Sequence, residues 1–411
     1  MMKKLMGTVV AVLGALLVLV PSGAAGDGVT VTVQDGYSCD YGVNIPFTRT
    51  GRSDSYTFEI YAGETAAGAP EVRAEVEAHA DSPVTVFLPL RYDVTGPSTH
   101  TLKVTAHVLP GREGLEREGV KTISFVTAST PTCGCAAGTA GAFYMGTGAA
   151  ADPYWVSSPQ QFDHVRLHLG KSCRQVNDIS LAAFDNFSPI PSFTGSYDGG
   201  GYVISEANIT ANAASLFGNP VNAQIENLGV RDSVFHRQRL AAAMGTFYGK
   251  VVVRNCFVED CTFIAESTPY SYTGSISAGD DNTSDNKLNR IENCYAAGLT
   301  IRGAYVGGIS SEGNGGTKSI GCYTLIDSLS STLKGGAITG YDINASACAW
   351  EYPNSAGVQY ACGDKNNNGC FALTGAEFAD QSKFTSQGWD FDTVWRMDNS
   401  LGRPVLRVFD H

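Results

Sequence analysis

Histidine and cysteine side chains are the first candidates for chemistry in this sequence, because both bind transition metals. None of the seven histidines forms the His-Glu-x-x-His pattern of zinc hydrolases. His164 and His168 stand four residues apart, which places them on one face of a short helix, but no third ligand accompanies them. The pair Cys133-Gly-Cys135 lacks the Cys-x-x-Cys spacing of zinc knuckles, and no histidine pair completes such a motif. These patterns favour a solvated helix face and argue against zinc.

Carboxylates are the next candidates, since solenoid glycoside hydrolases and lyases place two or three of them on one face. Glu226 and Glu292 share a column of an internal repeat, but Arg254 and Gly321 interrupt that column. The chain has no Gly-x-Ser-x-Gly elbow, and acidic residues on turns ordinarily form solvated surface. We therefore predict no catalytic residues, with a polysaccharide-cleaving enzyme as the alternative.

A weaker metal pattern begins at Asp364. Asp364, Asn366 and Asn368 supply oxygen ligands at positions one, three and five of a calcium loop, and Gly369 provides the turn at position six. Position twelve is Gly375, where a bidentate glutamate is expected. The segment predicts weak calcium binding at most, with a metal-free turn as the alternative. No other cofactor is expected.

Aromatic side chains in two insertions are the candidates for ligand binding. They are Tyr270, Tyr272, Trp350, Tyr352 and Tyr360. Aromatic rings on loops above a rigid scaffold suit stacking on sugars or anchoring a protein, because they offer a large contact area at low entropic cost. The alternative is that these rings pack against the scaffold.

The N-terminus and the charge balance indicate the compartment. Lys3 and Lys4 precede an apolar run, and small residues follow it, which is the pattern of a secretory signal peptide over residues 1–25. That run is shorter than the roughly 20 residues of a membrane span, and no later run is long enough. The net charge is -12, and no basic run accompanies it, which disfavours nucleic acid as a partner. We expect a secreted or cell-surface protein without a transmembrane segment.

Eleven cysteines in an exported chain suggest disulfides, but their positions argue for a mixture. Cys256, Cys294 and Cys322 occupy matching positions of the repeat, where stacked side chains have parallel rather than converging Cβ vectors. We therefore expect a ladder of buried thiols there. Bridges are expected elsewhere, from Cys133 or Cys135 to Cys39 or Cys173, and among Cys348, Cys362 and Cys370.

The elements that must position these residues are short strands. Residues 27–128 contain six or seven segments with alternating apolar and polar residues, which predicts an immunoglobulin-like β-sandwich. A glycine- and alanine-rich stretch at residues 129–151 is expected to be a linker.

From residue 214 onward the chain repeats itself. The related segments contain Ile225-Glu-Asn-Leu, Val253-Arg-Asn-Cys, Ile291-Glu-Asn-Cys and Ser319-Ile-Gly-Cys, each preceded by a second apolar strand. Two short strands with two turns per period make one coil of a solenoid, whose coils must stack to bury their apolar faces. Recurrent Gly and Asn disfavour helices. The fold class expected is all-β, with a right-handed parallel β-helix over residues 152–411 and a cap near Trp389 and Trp395.

These repeats, the start at Asp152-Pro-Tyr-Trp and the ending Gly388-Trp-Asp-Phe resemble bacterial exported and surface proteins with GLUG motifs. The resemblance covers about residues 143–408. It implies an adhesin-like β-solenoid. Immunoglobulin-cleaving metalloproteases also carry the motif, but their zinc signature is absent from this sequence.

The function expected from these observations is non-catalytic adhesion or binding outside the cell. The partner would be a glycan or a host or cell-surface protein, recognised through loops on the β-helix. The alternative is a secreted glycoside hydrolase or lyase that uses carboxylates on the β-helix face.

Overall fold

The computed structural model describes residues 131–410 except 137–138, 211–213, 267–269, 281–288, 312–316, 342–343 and 364–368, and, before residue 131, ten strands with residues 65–68 and 70. The chain divides into two compact units, residues 1–138 and residues 139–410. Phe143 is fully buried in the second unit. Residues 139–151 are therefore part of that unit and not of the linker predicted at residues 129–151.

The first unit contains two antiparallel sheets of five strands each. Its strands are Leu16–Val18 (β1), Val20–Pro21 (β2), Thr30–Val33 (β3), Tyr37–Cys39 (β4), Gly42–Thr50 (β5), Ser55–Ala62 (β6), Val72–Glu77 (β7), Val84–Leu88 (β8), Ser98–His107 (β9) and Arg117–Phe125 (β10). Alternation explains the central pair, in which Phe58 of β6 lies opposite Val104 of β9 and Ile60 lies opposite Leu102. All four side chains are fully buried, so each strand turns one face toward a core.

The second unit is a β-solenoid of about six turns. Its strands are Tyr154–Val156 (β11), Ser172–Gln175 (β12), Ile179–Ser180 (β13), Ser196–Asp198 (β14), Val203–Ser205 (β15), Asn208–Ile209 (β16), Gln224–Glu226 (β17), Gly229–Arg231 (β18), Val234–Arg237 (β19), Leu240–Ala241 (β20), Gly245–Phe247 (β21), Val252–Arg254 (β22), Phe257–Glu259 (β23), Thr262–Ala265 (β24), Tyr272–Gly274 (β25), Ser277–Asp280 (β26), Asn289–Glu292 (β27), Tyr295–Gly307 (β28), Thr317–Ile320 (β29), Tyr323–Gly336 (β30), Ala345–Ser346 (β31), Ala349–Glu351 (β32), Phe371–Leu373 (β33), Trp395–Asp398 (β34) and Arg403–Leu406 (β35). The helices are Pro159–His164 (α1), Gly375–Phe378 (α2) and Gln381–Thr385 (α3), with 3-10 turns at Val165–Leu167 and Arg407–Phe409. The architecture confirms the all-β solenoid predicted from the repeats.

Parallel pairing stacks equivalent residues of successive turns in columns. In the first solenoid sheet, Tyr197 pairs with Ile225, Ile225 with Val253 and Val253 with Ile291. These four side chains are fully buried and form one wall of the core. Each strand contributes only about three residues, so its burial depends on the turns above and below it.

An asparagine ladder turns the chain between the two main sheets. Asn227, Asn255 and Asn293 adopt left-handed backbone with φ of 55°, 52° and 52°, and Gly321 occupies the same place in the next turn with φ of 60°. The Asn255 Nδ2 donates to Oδ1 of Asn227 at 3.2 Å. Asparagine and glycine recur at this position because they tolerate left-handed backbone better than other residues.

An aromatic column runs along the outer face of the second solenoid sheet. The rings of Phe257 and Tyr295 stack with centroids 5.3 Å apart, and those of Tyr295 and Tyr323 with centroids 5.0 Å apart. Trp389 and Trp395 of the C-terminal segment pack on this column. The predicted cap therefore covers the side of the solenoid across several turns, because these stacked rings would otherwise be exposed to water.

Candidate functional site

Three half-buried tyrosines form a strip across successive solenoid turns. The rings of Tyr272 and Tyr305 stack with centroids 5.1 Å apart and an interplanar angle of 12°. The Tyr341 ring meets Tyr305 edge-on at 5.5 Å. Parallel pairing of β25 with β28 places Tyr272 directly beside Tyr305. We call Tyr272, Tyr305 and Tyr341 the tyrosine strip.

An exposed tyrosine precedes the strip by two positions. Tyr270 is 61% exposed, and Tyr272 follows it in β25. The backbone N–H of Glu266 donates to the carbonyl of Arg237, and the N–H of Tyr272 donates to the carbonyl of Arg239. The segment that contains Arg237 and Arg239 therefore contacts the chain on both sides of Tyr270.

Polar and charged groups surround this region. An open surface pocket is lined by Thr210, His236, Arg237, Gln238 and Glu266. The His236 Nε2 lies 3.0 Å from a carboxylate oxygen of Glu266. At the other end of the strip, the Lys334 ammonium lies 4.0 Å from the centroid of the Tyr341 ring. The region therefore combines flat apolar rings with hydrogen-bonding groups of both signs.

The remaining predicted aromatics are dispersed. Trp350 is only 2% exposed and lies opposite Thr324 of the neighbouring turn, so it belongs to the core and the prediction of an exposed binding residue is wrong for it. The large ring fills the solenoid interior. The sequence around it resembles a loop and therefore did not indicate this burial. Tyr352 and Tyr360 are 45% and 37% exposed, outside the strip.

Tyr305 and Tyr341 were not among the predicted residues. Tyr272 and Tyr305 each precede a repeat glycine by two positions, at Gly274 and Gly307, and this shared spacing is the signal that could have identified Tyr305. Tyr341 has no such local signal, because it contacts Tyr305 only after successive solenoid turns have stacked.

The predicted carboxylate column is a column of ion pairs. Arg254 stands between Glu226 and Glu292 in register and places its Nε 2.6 Å from Glu226. Arg290 lies 3.1 Å from Glu292 on the same strand. Each carboxylate therefore has an arginine partner, which is the arrangement of a structural ion pair.

Asp260 is the carboxyl group closest in character to a general acid. Its pKa is raised, first by burial and then by the charges of Glu259 and Asp232, while Arg231 and Arg403 oppose the shift. A raised pKa is what an acid catalyst needs. Asp260 is exposed on a left-handed turn with φ of 53°, a placement that also suits a purely structural turn residue.

Glu259 is nearly buried, and three donors surround it. Arg403 Nη2 donates to Oε1 at 2.7 Å, Arg231 Nη2 donates to Oε2 at 2.6 Å, and the hydroxyl of Tyr295 donates to Oε1 at 3.0 Å. Full pairing explains how the carboxylate is accommodated away from water. The cluster fastens the C-terminal hairpin to the outer face of the solenoid.

The cysteine ladder is confirmed and is longer than predicted. Cys256, Cys294 and Cys322 are fully buried, and so is Cys348 in the next turn. The N–H of Cys256 donates to Sγ of Cys294 at 3.4 Å, and the N–H of Cys322 donates to Sγ of Cys348 at 3.5 Å. Cys348 also hydrogen-bonds the side chain of Cys370. Burial is the main cause that raises the pKa of Cys294 well above its usual value, so this thiol is protonated and unreactive while the fold is intact.

The disulfides predicted outside the ladder do not form among the cysteines whose side chains the structure describes. Cys133, Cys135, Cys173, Cys348, Cys362 and Cys370 all carry thiols. Cys348 and Cys370 instead extend the ladder, whose side chains run parallel. The predicted calcium ligands Asp364, Asn366 and Asn368 lie outside the described residues.

His164 and His168 do not form a solvated helix face. His164 is buried, and its Nε2 lies 3.2 Å from Nε2 of His168. Burial is the largest cause that lowers the pKa of both rings.

No family model, curated protein or solved structure matches the chain. Within the described part of the chain, no helix has the length and apolar character needed to cross a membrane.

Proposed function

We propose that the protein is an extracellular, non-catalytic binding or adhesion protein that recognises a glycan at the tyrosine strip and the adjoining pocket. The observation that carries the proposal is the strip itself, three tyrosine rings with centroids 5.1 Å and 5.5 Å apart, preceded by the exposed Tyr270 two positions before Tyr272. Regular coils alone would expose short polar turns, so this concentration of aromatic surface needs an explanation.

A glycan fits this surface better than a hydrophobic protein partner. The C–H faces of sugar rings stack on aromatic rings, while their hydroxyl groups need donors and acceptors at the edges. His236, Glu266 and Lys334 supply such groups beside the tyrosines. Rigid strands carry the rings, so little conformational entropy is lost on binding.

The export signal, the resemblance to GLUG-motif surface proteins and the antiparallel sheets of the first unit support an extracellular setting. We propose that the first unit is an immunoglobulin-like sandwich that serves as a spacer, and that the solenoid winds right-handed as parallel β crossovers almost always do.

The test is a binding screen of the purified full chain against polysaccharides, followed by variants. Tyr270→Ala and Tyr341→Ala should each weaken binding at least about fivefold, because aromatic anchors contribute more than about 1 kcal/mol. The thermal unfolding midpoint of Tyr270→Ala should stay unchanged, because its ring is 61% exposed.

Tyr352→Ala is the matched control, an exposed tyrosine outside the strip that should bind as the parent does. Equal binding by all three variants would place the ligand elsewhere. The same samples are assayed for new reducing or unsaturated sugar ends. Cleavage that disappears in Asp260→Asn would establish the enzymatic alternative and overturn the non-catalytic proposal.

A further inference from the structure

Two exposed arginines are fixed beside the tyrosine strip by backbone contacts. The backbone N–H of Tyr272 donates to the carbonyl of Arg239 at 2.7 Å. The hydroxyl of Thr273, the next residue, donates to the carbonyl of Arg302 at 3.0 Å. Both arginines are exposed, so their guanidinium groups are accessible from the solvent next to the strip.

The two arginines lie on opposite sides of Tyr272 along the solenoid axis. Arg239 precedes Leu240, which pairs with Tyr272 of the next turn. Arg302 lies on β28, the strand that pairs with Tyr272 from the turn after that. Neighbouring strands are about 4.8 Å apart, so the two arginines are separated by about 10 Å along the axis, with Tyr272 between them.

Two further cations belong to the same surface. Lys334 is in register with Tyr305 and lies over the Tyr341 ring. Arg237 lines the adjoining pocket, and its Nη1 donates to the carbonyl of Thr210 at 2.9 Å. Positive charge therefore accompanies the tyrosines along their whole length.

The three arginines of this surface lack the carboxylate partners that other arginines of the solenoid have. Arg254 and Arg290 form ion pairs on the first solenoid sheet. Arg237, Arg239 and Arg302 form none with the residues that the structure describes. The chain has 40 acidic residues against 28 lysines and arginines, so arginines without a carboxylate partner point to an anion that comes from a ligand.

We propose that the tyrosine strip selects polymeric glycans with acidic sugar residues, an inference that rests on the glycan-binding function proposed above. Sugar rings stack on the tyrosines, while carboxylate or sulfate groups bind Arg239 and Arg302. A guanidinium group binds an oxyanion through two parallel N–H donors, which makes arginine well suited to this role. Two arginines two turns apart fit a chain that carries repeated acidic groups better than a single acidic sugar.

The test compares two matched pairs of polymers on the full chain, polygalacturonate with its methyl ester and dextran sulfate with dextran. The first pair tests carboxylate and the second tests sulfate. We expect the acidic member of at least one pair to bind at least about tenfold more tightly than its neutral partner. About 0.5 M sodium chloride should remove most of this preference, because salt screens exposed charges.

The double variant Arg239→Gln/Arg302→Gln should bind the acidic polymer at least about fivefold more weakly and the neutral polymer within about twofold of the parent. The matched control is Arg174→Gln/Arg290→Gln, which removes the same two charges from the first solenoid sheet and should bind as the parent does. Tyr341→Ala should weaken the binding of both polymers, because the ring stacks on sugars of either kind.

Three results would overturn the acidic preference while leaving glycan recognition intact. They are equal binding of the acidic and neutral polymers, a preference that the double variant retains in full, or an equal loss in the control variant. A parent chain that binds neutral glycans only has the same meaning. A parent chain that binds no glycan at all overturns the proposed function together with this inference.

Discussion

At the scale of single residues, the environment of Glu259 shows how much two similar ion pairs can differ. Its two arginine partners have unequal exposure, since the Arg403 side chain is 13% exposed and the Arg231 side chain 43%. Desolvated pairs are costly to break, because the remaining charge stays buried, whereas exposed pairs contribute little. The two partners therefore contribute unequally to stability.

We predict that Arg403→Met lowers the free energy of unfolding by about 3 kcal/mol, whereas Arg231→Met lowers it by less than about 1 kcal/mol. Methionine preserves most of the side-chain volume and removes the charge. Urea denaturation of the two variants beside the parent chain checks the difference. Equal losses would mean that the carboxylate is solvated from both sides.

Sequence patterns identified Tyr270 and Tyr272 of the candidate site but not Tyr305 or Tyr341, which the winding of the chain brings into the tyrosine strip. Trp350 was mistaken for a loop residue because glycine- and asparagine-rich surroundings mask a strand of three residues. The burial of a single residue depends on the turns that stack above and below it, and the residues of those turns are distant in the sequence.

At the scale of elements, the asparagine ladder sets the turn between the two main sheets. Substitutions at Asn255 can separate the contribution of backbone conformation from that of side-chain hydrogen bonding. Alanine disfavours left-handed backbone and cannot make the side-chain hydrogen bond, whereas glycine loses only the hydrogen bond. The ladder thus offers its own matched pair of variants.

We predict that Asn255→Ala lowers the free energy of unfolding by about 2 kcal/mol, from left-handed strain together with the lost ladder hydrogen bond. Asn255→Gly should lose only about 1 kcal/mol, because glycine accepts the φ of 52°. Thermal and chemical denaturation measure both values. A glycine variant as unstable as the alanine variant would show that the side-chain hydrogen bond dominates.

Element positions followed closely from the sequence. Residues 27–128, in which short alternating strands were predicted, contain strands such as β7 and β8. Period-two alternation and recurring turn residues specify such strands locally. The long strands β28 and β30 were not expected, because the repeat pattern suggested two short strands in each period.

At the scale of the whole molecule, a solenoid's stability is a sum over turns and their contacts with neighbours, so its end turns open more readily than its interior. The cysteine ladder places a chemical probe in successive turns. Cys370 is partly exposed in the last of them, whereas Cys256, Cys294 and Cys322 are fully buried.

We predict that thiol labelling in mild denaturant, followed by peptide mass spectrometry, modifies Cys370 first and the interior thiols only with global unfolding. Cys261 lies in the same turn as Cys256, is fully buried, and should label together with it. Simultaneous labelling of the whole ladder would show that the solenoid unfolds as one cooperative unit.

The architecture of the second unit was predictable because its repeats encode it, but the path of the C-terminal segment was not. Its tryptophans indicated a cap, and a cap was expected at the open end of the last coil. The surface that they cover is defined by Tyr295 and Tyr323, which stack only after separate turns have assembled. No contiguous stretch of the sequence therefore marks this surface.

The contact between Arg403 and Glu259 joins residues 144 positions apart, and this separation has a consequence for biosynthesis. A chain that emerges from the ribosome or an export channel presents Glu259 and the bare aromatic column well before Arg403 and the covering tryptophans arrive. During that interval the incomplete chain exposes the aromatic column to water. Chaperones bind exposed apolar surfaces of this kind, and proteases cleave chains that present them. The synthesis of Trp389, Trp395 and Arg403 thus decides when this surface of the nascent protein becomes covered.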